Sequence, residues 1–389
     1  MQALPSLARL GTESAFVVLA RAEELRRQGR DVISLAIGQP DAPTAPHIVE
    51  AAIKALRDGA HGYTDAQGIP PLRAAIAADL ERRHGSAVSP ERILVVPGGK
   101  MTMFFACLAL AGPGREVIYP DPGFPIYRSL VNYTGATPVP LPLRAETGFA
   151  IEPKALAERL SEKTSLVILN SPGNPTGGVT APAAIEQIAE VMIRRPQAAL
   201  LSDEIYSCLT YAPQRHLSFL TFPELADQLI LLDGFSKSYA MTGWRLGYGV
   251  WPQSLIGPVT RLAINAHSCV NAPTQWAGIA ALEGSQETVE ALRQSFEARR
   301  RLLLDGLAGI PGLEAPEPGG AFYVFPRITN TAWDDKSLET ALLEEAGLAT
   351  LAGGAFGPCG AGHLRLSYAA SEVTIREALA RIEAVMAQK

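Results

Sequence analysis

Six short runs, at residues 93–96, 116–119, 165–169, 198–201, 229–232 and 246–250, are apolar almost throughout. A strand with one face in water alternates polar and apolar residues. One that is apolar at every position is covered on both sides, as in a mainly parallel sheet held between helical layers. Between these runs lie stretches with helical spacing, at 48–58, 72–83, 101–111 and 183–195. Such alternation predicts an α/β fold with a three-layer α/β/α large domain. Beyond residue 284 the pattern changes. A long charged helix is expected over 285–307, strands over 322–325 and 363–367, and helices over 338–345 and 374–387. That is a smaller α+β domain, and a helix at 14–28 is expected to pack beside it. The expected division is a large domain over 46–284 and a small one built from 1–45 and 285–389.

The chain has 389 residues, which suits two or three domains at roughly 100–200 residues each. With 47% hydrophobic and 19% charged residues, it has ample material for buried cores, and a disordered chain is excluded. A net charge of −5 with no basic stripe argues against nucleic acid as a partner. The longest apolar run, 101–111, is well short of the ~20 residues that cross a bilayer, so no membrane partner is expected. The N-terminus shows no secretory signal pattern. Cys107, Cys208, Cys269 and Cys359 lack metal-ligand spacing and the six histidines form no constellation, so no metal is expected. Scattered thiols of this kind fit a reducing, cytoplasmic setting.

Four loops that follow apolar runs carry candidate chemistry. Ser236-Lys237 follows 229–232, at the strand edge where open α/β sheets hold ligands. Lysine forms a Schiff base with an aldehyde when burial or a nearby cation lowers its pKa. Arg245, in MTGWRLG, can grip a phosphate in bidentate fashion beside the Ser236 and Ser238 hydroxyls. Asp203 and Tyr206, in SDEIY, follow 198–201. The carboxylate can cap a helix, or can hold a proton on a heterocyclic nitrogen, the role that pyridoxal phosphate requires. Asn174 sits in NSPGNPTG, a loop tightened by proline and glycine. The fourth loop, Pro97-Gly98-Gly99-Lys100, opens a helix and is a ready anion site. Each loop alone also has a plain structural explanation: a surface lysine, a helix cap, a tight turn.

In this order and spacing, NSPGNPTG, SDEIY and FSKSYAMTGWRLGY resemble the class I pyridoxal-phosphate aminotransferases of the aspartate-aminotransferase fold (fold type I), over nearly the whole chain. The resemblance implies that Lys237 binds the cofactor aldehyde and later moves the substrate α-proton. It implies Asp203 on the pyridine nitrogen, with Asn174 and Tyr206 on the phenolic oxygen. Gly99, Lys100, Ser236 and Arg245 fall where the family binds phosphate, and Phe124, in PDPGFPIY, where an aromatic ring stacks on the cofactor. Tyr63 is similar to a tyrosine reaching the phosphate from a partner subunit, which implies a homodimer with shared sites. Arg365, in HLRLSYA, looks like the grip on the substrate α-carboxylate, assisted by Gly38 and Asn174.

The reaction so implied moves an amino group from an L-amino acid to a 2-oxo acid, with 2-oxoglutarate the usual acceptor. The donor is expected to be aspartate-like or aromatic. In some relatives the lysine at Lys100 meets a distal carboxylate, whereas Phe16 and Phe124 make the pocket more apolar. His267 is expected to be structural. The proximity of Arg245 is expected to lower the Lys237 pKa. A lyase or oxidase on the same fold and cofactor is the alternative. A ligand sensor fused to a helix-turn-helix module is not expected, with about thirteen residues ahead of the first helix.

Overall fold

A computed structural model describes residues 3–388. Its centre is a seven-stranded sheet in the order Ile93–Val96, Gly247–Val250, Leu229–Gly234, Ala199–Asp203, Thr164–Asn170, Glu116–Asp121 and Thr137–Pro142. Four neighbour pairings are parallel, and the two made by Gly247–Val250 are antiparallel. The α/β reading is thereby met. The six apolar runs are strands shifted by no more than a residue or two at either end.

Both faces of these strands are dry, and the twofold strand period sorts their side chains into separate cores. Leu166 and Ile168 pack with Met103, Phe105, Tyr127 and Val259 on one face. Val167 and Leu169 pack with Ile185, Ile188 and Met192 on the other. The helices Lys100–Leu110, Pro125–Thr134 and Gln253–His267 cover the first face, and Pro182–Ile193 covers the second. Each fully buried leucine or isoleucine contributes about 1.5–3 kcal/mol.

The seventh strand escapes a reading based on apolar runs because it reads TPVPLP. Its prolines occupy alternate positions 138, 140 and 142. The backbone N–H groups of Thr137 and Leu143, in the opposite phase, bond to the oxygens of Arg115 and Asp121. The prolines therefore have no N–H to lose on the ladder side, and they close this edge to further pairing.

Outside the large sheet, Tyr323–Val324, Leu364–Ser367 and Leu351–Ala352 form a small antiparallel sheet. Ile33–Ser34 pairs in parallel with Leu348–Ala349, tying the first forty residues to the last fifty. The helices Glu287–Ala308 and Glu372–Met386 pack on this unit through Phe296, Leu303, Ile375 and Ile382. No described helix is long and apolar enough to cross a membrane.

Candidate active site

The strands ending at Val96, Asn170, Asp203 and Gly234 run in one direction, so all four loops from the sequence reading emerge at one sheet edge. Gly247–Val250 runs the other way and enters there, bringing Arg245 to the same edge. The small sheet faces this rim and supplies Tyr323 and Arg365. Between them lies a cavity of about 480 Å³. It is lined by Gly38, Gly99, Lys100, Phe124, Asn174, Asp203, Tyr206, Ser236, Lys237, Arg245, Arg365 and Phe16. Of the expected site residues only Tyr63 lies apart from this lining, with its side chain 92% exposed. His267 is also outside, stacked on Phe105 at 6.0 Å.

Backbone bareness builds the anion end. Gly98 has φ +88°, and a Cβ there would lie 2.2 Å from Nη2 of Arg245. A Cβ on Gly247 would lie 2.4 Å from the backbone nitrogen of Gly99. Loop and strand thus touch main chain to main chain, where only glycine fits. The helix Lys100–Leu110 starts here with no side-chain cap on its first amides. Ser236 is nearly buried beside it.

The Lys237 ammonium donates to the backbone oxygen of Gly38 at 2.5 Å and lies over the rings of Phe322 and Tyr206 at 5.6 and 5.8 Å. Burial, followed by the positive charge of Arg365, pulls its pKa down to about 8. Arg245 adds only a minor push. The lowering expected from Arg245 is thus present, while desolvation and Arg365 dominate.

Asp203 is buried, and Tyr127 donates a 2.7 Å hydrogen bond to its Oδ2. Burial raises its pKa to about 6, against the opposing effect of Tyr127. Asn170 Nδ2 bonds the Asp203 backbone oxygen, and Asn170 Oδ1 accepts from the N–H of Asn174, so one side chain braces two loops. Next along the chain, Glu204 accepts from Ser202, Ser218 and the His216 ring. Burial opposes its ionisation, yet His216 holds the carboxylate at about 2.

Arg365 is buried. Nη1 donates to Asn174 Oδ1 at 3.0 Å and Nη2 to the backbone oxygen of Ala36, with Tyr323 and Phe356 stacked at 4.6 and 5.0 Å. Its Nε has no hydrogen-bond partner among the described residues. A buried, charged donor left open is costly unless an anion completes it. The Tyr206 hydroxyl bonds that of Tyr323 at 2.9 Å, and burial keeps Tyr206 protonated.

Sequence reading missed Glu13, Tyr127, Asn170 and Tyr323. Tyr127 stands three residues after Phe124, on the first turn of the helix Pro125–Thr134, so helical spacing was a usable signal. Asn170 opens the NSPGNPTG motif itself. Tyr323 and Glu13 carried no local signal.

These features fit a phosphorylated aldehyde with a basic ring nitrogen: a bare-backbone anion cradle, a buried carboxyl group, and a half-buried lysine with depressed pKa. The comparisons agree. The model for "Aminotransferase class I and II" matches residues 30–382. An aspartate/prephenate aminotransferase of Cereibacter sphaeroides is 37% identical, with 98% of each chain covered. An asparagine–oxo-acid transaminase of Streptococcus mutans is 38% identical, covering 94% of each. The solved aspartate aminotransferase from Thermus thermophilus with maleate superposes with a TM-score of 0.93 at 36% identity, covering 99% of this chain and 100% of that one. Fold, cavity chemistry and full-length similarity lead to one conclusion: this chain belongs to the class I and II aminotransferases and is a transaminase that uses pyridoxal phosphate.

Proposed function

We propose that the enzyme moves the amino group of an aspartate-like or aromatic L-amino acid to 2-oxoglutarate. The observation that carries this reading is the pairing of two cations across residues 36–38. Lys237 donates to Gly38 and Arg365 to Ala36, with the Arg365 Nε open. An α-carboxylate on Arg365, assisted by Asn174 and the Gly38 backbone, sets the α-carbon toward Lys237. A Cβ on Gly38 would fall 2.3 Å from the Tyr323 hydroxyl, so this position has to stay bare.

In this reading, Gly99 and Lys100 meet the cofactor phosphate through backbone amides, Ser236 through its hydroxyl and Arg245 through its guanidinium. Asp203 holds the ring nitrogen, Asn174 and Tyr206 the phenolic oxygen, and Phe124 stacks on the ring. When bound, the cofactor withdraws electrons and acidifies the substrate Cα–H bond. Lys237 would take that proton from Cα and return it at the cofactor's C4′, on the far side of the amino nitrogen, general acid–base work suited to an amine titrating near 8. Arg365 fixes which substrate bond faces the lysine, an orientation effect.

The reading extends to a homodimer in which Tyr63 of a second copy completes the phosphate site, supported by the outward projection of that ring. The 46–284 division into a large domain and a cytoplasmic setting belong to the same proposal. The four free thiols fit the latter. Mixing inactive Tyr63→Phe and Lys237→Ala proteins should restore activity through mixed dimers, and no recovery rejects the shared site. For the reaction, incubation with single amino acids and 2-oxoglutarate should yield glutamate. Ammonia without glutamate would point to a lyase or oxidase instead.

A further inference from the structure

The cavity holds one cation that the reading above leaves unused. Lys237 serves the α-carbon, Arg365 the α-carboxylate and Arg245 the phosphate. Lys100 meets the phosphate through its backbone, which leaves its ammonium available. That ammonium lies 5.4 Å over the Phe124 ring and is ion-paired to Glu13. Glu13 is the residue just before the helix Ser14–Arg27, and its side chain is only 17% exposed, against 43% for Lys100. Both line the cavity, together with Phe16 and Phe124.

Glu13 is also electrically close to the reacting groups. Burial lowers the pKa of Lys237 and of Arg365 and raises that of Tyr323, and at all three the Glu13 carboxylate acts upward. Its charge is therefore part of the cavity's field.

We propose that Glu13 sets side-chain specificity by occupying Lys100, so that the pocket favours an amino acid with a carboxamide side chain over one with a second carboxylate. This rests on the aminotransferase reading and deepens it. A carboxamide has both a donor and an acceptor, so it can give its N–H to Glu13 and take a hydrogen bond from Lys100. A second carboxylate has acceptors only. It must draw Lys100 away from Glu13 and sit beside a like charge, which is discrimination by a repulsive element. An aromatic side chain leaves the pair intact and packs on Phe16 and Phe124. The amino acceptor 2-oxoglutarate carries the same second carboxylate, so Glu13 weakens its hold on Lys100 without excluding it as acceptor.

Succinate and its monoamide, succinamate, isolate this choice, because they differ only at the distal group and cannot react. Their binding to the cofactor-loaded enzyme is measured by calorimetry, for the wild type, Glu13→Gln and Lys100→Met. The wild type should bind succinamate at least as tightly as succinate. Glu13→Gln should raise the succinate-to-succinamate affinity ratio about tenfold, the scale of freeing one partly exposed ion pair and removing a like charge. Lys100→Met should lower succinate affinity and abolish that gain in the double variant. A wild type preferring succinate tenfold, or a ratio moved less than twofold by Glu13→Gln, overturns the proposal while leaving the reaction class standing. If neither ligand binds, and Arg365→Met changes nothing, the functional reading falls with it.

Discussion

The Tyr127 hydroxyl donates to Asp203 at 2.7 Å, and both side chains are buried. A phenol donor favours the ionised carboxylate, while burial favours the neutral acid. Burial wins, at about pH 6. Tyr127→Phe removes the counterweight, so the Asp203 pKa should rise and its hold on a protonated ring nitrogen should weaken. A hydrogen bond to a charged group is worth about 1.5–3 kcal/mol, so cofactor affinity should fall roughly tenfold or more. Cofactor titration with circular dichroism as a folding control checks this, and unchanged affinity would show that Tyr127 only packs.

Lys237 should be reactive at lower pH than an ordinary lysine. With a pKa of about 8 against the usual 10.5, its neutral amine predominates above pH 8. Capture of pyridoxal phosphate by cofactor-free protein should accelerate up to about that pH and then level off. Because Arg365 is the second cause of the depression, Arg365→Met should move the plateau to higher pH. Stopped-flow absorbance across a pH series measures both, and a plateau that stays put in the variant contradicts the coupling.

Arg365→Lys preserves charge but loses the planar fork and its open Nε. Bidentate recognition of a carboxylate does not survive that exchange. The expected result is a fall in kcat/KM for amino acids of about a hundredfold, on the order of 3 kcal/mol. Amines without a carboxylate should not be penalised. A uniform loss across both substrate types would mean the variant had damaged the site as a whole.

His84 packs edge-on to His216 at 6.0 Å, and its Nε2 is buried without a partner among the described residues. Burial lowers its pKa from 6.5 to about 4. Between those values the unfolded chain binds more protons than the native one, so stability rises with pH and is lost as pH falls from about 6.5 toward 4. The full effect is on the order of 2–3 kcal/mol. Glu204, held at about 2, loses its own contribution only below its ordinary value near 4.5. In denaturant titrations, His84→Phe should flatten the slope above pH 4.5 and leave the decline at lower pH. An unchanged slope would assign it to other groups.

What could be read in advance follows the range of each interaction. Lys237, Asp203, Asn174 and the Gly98-Gly99 turn sit in loops directly after buried strands, so a few consecutive residues announce both the strand end and the chemistry. The strand Thr137–Pro142 did not announce itself, because alternating prolines erase the apolar run while suiting a sheet edge. The remaining site contacts join distant positions. Glu13 meets Lys100 across 87 residues and Tyr206 meets Tyr323 across 117. Glu13 and Tyr323 sit in no motif, and only tertiary packing brings them to their partners. For Lys237 the lowered pKa was legible from Arg245, eight residues on in the chain, whereas the larger effect of Arg365 acts through space.

The contact of Gly247 with the main chain of Gly99 has a lasting consequence for how this catalyst can diverge. A single methyl group added at that seam would lift the loop from the strand and spoil the anion seat, so inherited change on that side is penalised before any benefit appears. The opposite wall, carrying Glu13 and the half-exposed Phe16, has no such handicap. New appetites for amino acids can therefore arise one codon at a time near the beginning of the chain, while the reactive machinery stays as it is.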